Sequence, residues 1–438
     1  MKVSARIILY VIGFLSSLVI YGSGYYDREL VLPLSLFTIA LSVYNMLVMY
    51  NGRLSLSTVL LIYTILTQFG LIIPYMLVGK SVVNQYQDWT LAFLYSHNLG
   101  KAMVIGNIAI YSFDLARVWI VYQNREKPKV LNNTRGDIYN PAMKTFSMVT
   151  LLFVFFFFIF HILSGGMRLF GTYEQFMSSS AYSSSIYPYM LILFYVATLF
   201  LSASGTVKEN LSGWLIWFFI AMIFSINGNK GEFLYSLLAV FGLKGVQGQK
   251  ISWKLALGAS LLLFLFIPSI TALRDAGVSN NIQDASFSAF GAFTEMGMQL
   301  RTSVYTLDHL DNGFFNYLYG QSYWQPIVNI ITPFMKHEIA TAHVRLEFPG
   351  FGFNQVAESY LNFGVFGVML FFSVIGSLIC KYENKYYRDT INLALLAAIT
   401  TVLINASRNY FVFVPGQILM VYVIWRFVKW TGRKIYRK

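Results

Sequence analysis

Six basic residues of this 438-residue chain, Arg168, Lys230, Arg274, Arg301, Arg345 and Arg408, sit beside the ends of apolar stretches or inside one long segment broken by polar residues. Arginine presents a planar fork of donors that matches two oxygens of a phosphate, and lysine adds a compact charge. Such a set gathered on one face of a membrane suits a diphosphate. Taken singly, each also reads as an interfacial residue with its stem in lipid, or as the partner of a nearby acid. Lys230 stands in the turn Asn227-Gly-Asn-Lys-Gly-Glu232. A glycine-rich turn opening a helix exposes backbone N–H groups to an anion. The plainer alternative is a hairpin with a local Lys–Glu contact.

The candidate base is His343, because Thr341-Ala-His-Val-Arg-Leu-Glu347 would align His343, Arg345 and Glu347 on one side of an extended strand. A base next to a cation suits activation of a hydroxyl beside a phosphate leaving group; a loop histidine with no such role is the competing reading. Two carboxylates join it: Glu295, six residues before Arg301, and Glu358, at the start of an apolar span. A carboxylate at membrane depth is costly, so Glu358 is either functional or the ion-pair partner of Arg345 or Arg408. Tyr305, Tyr319, Tyr323 and Trp324 offer flat faces for sugar rings, though membrane interfaces use the same residue types. Asp308-His-Leu-Asp311 holds oxygen and nitrogen ligands within one helical turn, but a solvated helix face is the preferred reading and no metal or other cofactor is expected. There is no phosphate-binding P-loop, no H-E-x-x-H, no zinc spacing and no G-x-S-x-G, which argues against an ATP-driven pump or a zinc protease.

The elements that must position these residues are membrane helices. The chain is 56% hydrophobic and 12% charged, with a mean hydropathy of +0.57. Runs such as 151–160, with six phenylalanines, suit a bilayer that takes about 20 apolar residues per helical crossing. Apolar stretches near 5–22, 31–50, 56–79, 99–121, 143–164, 187–204, 211–227, 231–247, 254–272, 356–380, 390–406 and 411–429 predict about 12 spans. The fourth contains Lys101 and Asp114 and is among the weaker assignments. With both termini cytoplasmic, short outer loops are poor in Lys and Arg, as the positive-inside rule requires. The net charge of +13 therefore marks topology and gives no reason to expect nucleic acid. The single cysteine, Cys380, cannot form an internal disulfide and reads as a small buried side chain. The expected organisation is a membrane domain over 1–272, a large outer loop over 273–355, and a second membrane domain over 356–438. A long loop without a compact domain of its own is usually functional.

This arrangement resembles the bacterial O-antigen polymerases of the Wzy type, also called oligosaccharide repeat-unit polymerases. The resemblance rests on about twelve spans, the cationic turn 227–232, the large loop between the ninth and tenth spans, and the loop exit Gly350-Phe-Gly-Phe-Asn-Gln-Val-Ala-Glu358 followed by Tyr360-Leu-Asn-Phe-Gly-Val-Phe-Gly367. It implies an all-α polytopic membrane protein with one large periplasmic loop, built like the GT-C-like glycosyltransferases that use lipid-linked sugars. The implied reaction joins undecaprenyl-diphosphate-linked repeat units, donor and acceptor alike, on the periplasmic face of the inner membrane, needing neither nucleotide sugar nor metal. A chain-length regulator and a flippase of the same pathway are implied partners besides the lipid bilayer. Three other readings stay open: an O-antigen ligase of shared architecture, a flippase for lipid-linked oligosaccharides, and a non-catalytic assembly component.

Overall fold

The computed structural model describes residues 3–49, 52–83, 88–123, 140–167, 175, 178–227, 230–250, 258, 269, 291–334, 341, 344 and 352–435. Among them the regular structure is entirely helical. In chain order the principal helices are α1 (Val3–Ser23), α2 (Arg28–Met49), α3 (Leu56–Phe69), α4 (Ile72–Val78), α5 (Leu99–Gln123), α6 (Pro141–Leu163), α7 (Tyr187–Ala203) and α8 (Leu211–Ile226). They continue with α9 (Lys230–Val246), α10 (Gly291–Gly297), α11 (Leu300–Asp311), α12 (Gln321–Ile331), α13 (Gln355–Tyr386), α14 (Thr390–Ala406) and α15 (Val414–Ile435). Polar residues cut the apolar runs into separate helices by capping them. Ser55, Asn140, Asn354 and Asp389 each accept a backbone N–H at the start of α3, α6, α13 and α14.

Among the described residues six helices are long and apolar enough to cross a membrane: α1, α2, α5, α6, α13, and α15 with the short turn before it. A seventh crossing is formed if α3 and α4 are one span, bent by 50°. Helices α7, α8 and α14 are apolar but shorter. The expected twelve spans are thus not all present as straight crossings among the described residues, which include only Gly258 and Ser269 of the stretch near 254–272. The bend between α3 and α4 has a packing cause. A side chain on Gly70 would lie 2.6 Å from the carbonyl oxygen of Phe293 in α10, so α10 crosses the break at backbone distance.

Helix α5 forms the centre of one half and is buried on all sides from Ala102 to Asp114. Helix α13 lies along it, with α1, α2 and α3 packed around the pair. The other half groups α6, α7, α8, α14 and α15, and α9 joins the halves by packing on α3, α7 and α14. Small residues permit this closeness: a side chain on Gly376 of α13 would come within 2.7 Å of the Phe113 carbonyl of α5. The apolar residues left exposed, such as Val19, Phe156, Phe160, Phe366 and Val423, lie on the periphery, where lipid rather than water is the compatible solvent.

Two features of this core could not be placed from sequence. Arg117, a charge within the apolar stretch 99–121, is fully buried. Its Nη1 donates to Asp114 Oδ1 at 3.0 Å, its Nε to Ser57 Oγ at 3.1 Å and its Nη2 to Thr58 Oγ1 at 2.7 Å. Ser57 in turn donates its backbone N–H and its hydroxyl to Glu383 of α13, at 3.0 and 2.6 Å. Tyr10 of α1 and Asn45 of α2 donate to the Asp114 carboxylate. Five helices are joined, and of the two charges that weakened the fourth span Asp114 is neutralised by Arg117 inside it, while Lys101 pairs with Asp311 of α11 at 3.6 Å.

Helix α13 is the second case. It is broken at Phe363 and Gly364, where Gly364 takes φ 60. A break frees carbonyls, and backbone groups in a membrane must find partners. The segment before α12 supplies them: Leu318 N–H donates to Leu361 O at 2.9 Å, Tyr319 N–H to Asn362 O at 3.1 Å, and Gly320 N–H to the Asn362 side chain at 2.9 Å.

Candidate functional site

Of the residues singled out above, Arg168, Arg274, Arg345 and His343 lie outside the described residues. Lys230 is described only as the first residue of α9. The remaining candidates fall in three places at one end of the bundle.

The first is a small pocket lined by Tyr63, Gly231, Leu234, Tyr235, Ala292, Glu295, Met296 and Arg408. It brings Glu295 and Arg408 together, and sets them beside the start of α9. Arg408 follows the C-terminal end of α14, and its carbonyl accepts the Phe353 N–H at 3.3 Å. Its guanidinium is close enough to act on the hydroxyls of both Tyr63 and Tyr235. Those two rings meet edge to face, with centroids 5.8 Å apart. Gly231 leaves room for this arrangement, since a side chain there would come within 2.7 Å of the Tyr235 hydroxyl. The pocket thus offers a cation, a carboxylate, two phenols and a helix start, with apolar walls from Leu234, Ala292 and Met296.

The second place is the loop that carries Arg408. Three residues further on, the Phe411 N–H donates to Glu358 Oε2 at 2.8 Å. Glu358 is 1% exposed, and its Oε1 has no hydrogen-bond partner among the described residues. Gln355 donates to Leu403 O at 3.3 Å, and the rings of Phe353 and Tyr410 stack at 4.8 Å. Of the alternatives open for Glu358, the ion pair with Arg408 does not form among the described residues; Glu358 holds the backbone of the same turn instead. Asn354 ties this region to α11 through bonds of 2.6 Å to Gln299 O and to Thr302 Oγ1.

The third place is the rest of 291–334. Arg301 is 5% exposed on α11, one turn before Tyr305, within the packed bundle rather than at its rim. Tyr305 lies partly buried between two apolar clusters. Tyr323 stacks on Phe371 at 5.6 Å and bonds Ser359 Oγ at 2.9 Å, so packing already occupies the ring face expected to meet sugar. Tyr319 and Trp324 are 72% and 43% exposed. Asp308 and Asp311 accept hydrogen bonds from Ser96 and Asn98, so they fasten α11 to the residues before α5. No cluster of metal-ligating side chains occurs among the described residues.

Tyr63 and Tyr235 carry no mark in the sequence, because an aromatic inside an apolar span looks like any lipid-facing or core ring. Only the α3–α9 contact turns their hydroxyls toward Arg408 and Glu295.

A helical bundle with lipid-compatible flanks, around a largely apolar pocket that holds one cation and one carboxylate, defines a multi-pass membrane protein. The profile of the family described as O-antigen polysaccharide polymerase Wzy matches residues 5–434. A relative from Staphylococcus aureus, Protein CapE, is 30% identical over 437 residues, which cover 96% of this chain and 95% of that protein. No solved structure matches the chain. The chain belongs to the O-antigen polysaccharide polymerase Wzy family, and is a membrane polysaccharide polymerase of the glycosyltransferase kind.

Proposed function

We propose that the protein elongates a surface polysaccharide by transferring a glycan from an undecaprenyl-diphosphate carrier to a sugar hydroxyl of a second lipid-linked repeat unit. In this reading the reaction occurs on the outer face of the cytoplasmic membrane. The observation that carries it is the joint placement of Arg408 and Glu295 in one phenol-lined pocket at the start of α9.

The acceptor oxygen attacks the anomeric carbon, the bond from that carbon to the diphosphate oxygen breaks, and the acceptor proton must be removed. Arg408, with Lys230 at the helix start, neutralises the charge that grows on the departing diphosphate, the kind of stabilisation that lowers such barriers most. Glu295 is the pocket's described carboxylate and takes the proton, His343 is the alternative base from the sequence pattern, and Arg345 stays assigned to the diphosphate. Arg168, Arg274 and Arg301 are assigned to the diphosphate from sequence, and Tyr305, Tyr319 and Trp324 to the sugars. Glu358 acts on Arg408 through the Phe411 backbone rather than on substrate, and is a positioning residue.

The test is chain extension by the purified protein in vesicles supplied with lipid-linked repeat unit. Arg408→Ala abolishes extension while Arg408→Lys retains part of it, and Glu295→Gln lowers turnover with little change in the concentration of repeat unit required. Wild-type extension by both Arg408→Ala and Glu295→Gln would refute the assignment. In cells, deletion of the gene leaves single repeat units on the final acceptor if the protein polymerises. An acceptor left bare, with polymer still on the carrier, would identify a ligase.

A further inference from the structure

Helix α12 and the residues that follow it leave a stripe of large apolar side chains uncovered. Trp324, Ile327, Ile331 and Phe334 are 43%, 47%, 71% and 99% exposed. The spacing of three and four residues places Trp324, Ile327 and Ile331 on one helix face, Ile330 widens it, and Phe334 follows in the turn just beyond the helix end. The other face is fastened to protein. Ser322 and Pro326 are buried, and Ser322 accepts from Asn362 Nδ2 at 2.7 Å. Tyr323 meets Phe411 edge to face at 4.9 Å, besides its stacking on Phe371.

Three observations say what covers the stripe. No charged residue occurs between Asp311 and Lys336, an unusually long neutral stretch for a segment bathed in water. Helix α12 packs against α13, α15 and the short turn that leads into α15, so its stripe continues the exposed apolar flanks of two membrane-crossing helices. Those flanks include Phe363, Phe366 and Leu370 on α13 and Leu419 and Val423 on α15. Finally, α12 has 11 residues, about half the length needed to cross the apolar layer.

We propose that α12 lies in the plane of the membrane at the Arg408 end of the bundle, with Trp324, Ile327, Ile331 and Phe334 sunk among the acyl chains of that leaflet. Its neutral polar edge is satisfied by the protein, in place of the charged face that free interfacial helices show to water. The helix thereby fixes the height of the first turns of α13, to which it is bound through Ser322 and Tyr323. Glu358 and the Arg408 turn are held at the level of lipid phosphates. The placement stands whether or not the proposed transfer reaction is correct.

Spin labels on single cysteines test it. Cysteines are placed at Ile327, Ile331 and Phe334, with Leu370 on α13 as the lipid reference and exposed Lys208 as the aqueous one. The native Cys380 is fully buried and is replaced by alanine. In vesicles of phosphatidylethanolamine and phosphatidylglycerol, relaxation by dissolved oxygen is compared with relaxation by a water-soluble nickel chelate. The three α12 labels are expected to match Leu370, with the oxygen-to-nickel ratio several-fold above that at Lys208. Nickel access equal to that at Lys208 would overturn the proposal by placing the stripe in water. Shielding from both reagents would overturn it by showing another protein surface on the stripe. Beyond the shared buried Cys380→Ala change, the cysteine variants carry exposed substitutions only, and a single symmetric gel-filtration peak in detergent confirms folding of the Cys380→Ala parent and of each variant before labelling.

Discussion

Glu358 and Glu295 separate two tasks that a carboxyl group can perform near a cation. Glu295 faces the pocket with Arg408, whereas Glu358 is enclosed and spends one oxygen on the Phe411 N–H. An amide carbonyl accepts that bond as well as a carboxyl oxygen does. Glu358→Gln is therefore expected to keep extension within a few-fold of wild type, and Glu358→Ala to leave a buried N–H unsatisfied at a cost of about 1–3 kcal/mol. With the Arg408 turn released, Glu358→Ala also raises the concentration of lipid-linked substrate needed for half-maximal extension. If Glu358→Gln proved as inactive as Arg408→Ala, Glu358 would be part of the chemistry and the positioning role would be wrong. The residue types of the pocket were readable from sequence in part: Arg408 drew attention as a cation held against the positive-inside bias, and Glu295 as an acid near Arg301. Their meeting was not, since it depends on α10 folding back onto the bend between α3 and α4. Tyr63 and Tyr235 gave no signal at all.

Helix α9 shows how an element can control that pocket from a distance. One end carries Gly231 and Tyr235, and the other lies against the start of α3, where a side chain on Gly245 would overlap the Leu54 carbonyl. Gly245→Val must push α9 away from α3, and overpacking of this kind costs about 1–3 kcal/mol. The expected result is a lower melting temperature in detergent together with weaker substrate use, because Tyr63 and Tyr235 sit on the two helices being separated. Apolar length is what made such elements legible. Every stretch assigned as a span falls on a described helix, or on the bent pair α3 and α4, except the one near 254–272, of which only Gly258 and Ser269 are described. What apolar length cannot reveal is where a span breaks. Gly70 and Gly364 resemble other glycines in the sequence, and their roles come from Phe293 crossing one and from Leu318 and Tyr319 capping the carbonyls beside the other.

At the scale of the whole molecule, the two halves are unequal in how they hold together. One relies on apolar packing among α6, α7, α8, α14 and α15, while the other has the Arg117 network at its centre. Removing one partner of a buried ion pair leaves an uncompensated charge and costs about 3–5 kcal/mol, whereas replacing both with apolar groups is often close to neutral. Arg117→Met and Asp114→Asn are each expected to lower the yield of folded protein from membranes and its melting temperature sharply. The double variant Asp114→Asn with Arg117→Met should recover much of the loss, a non-additivity typical of groups in direct contact. Equal, additive losses would show that the pair is not the source of the stability. The same network carries information about assembly. Asp114 and Arg117 are one turn apart on α5, so their charges cancel as soon as that helix forms, and α5 can enter the bilayer before its neighbours exist. Glu383, which binds Ser57 across 326 residues of sequence, is made long after α3 and α5. Its arrival on α13 works as a latch: the early helices are threaded first, and only the late one locks α3 and α5 into their final register.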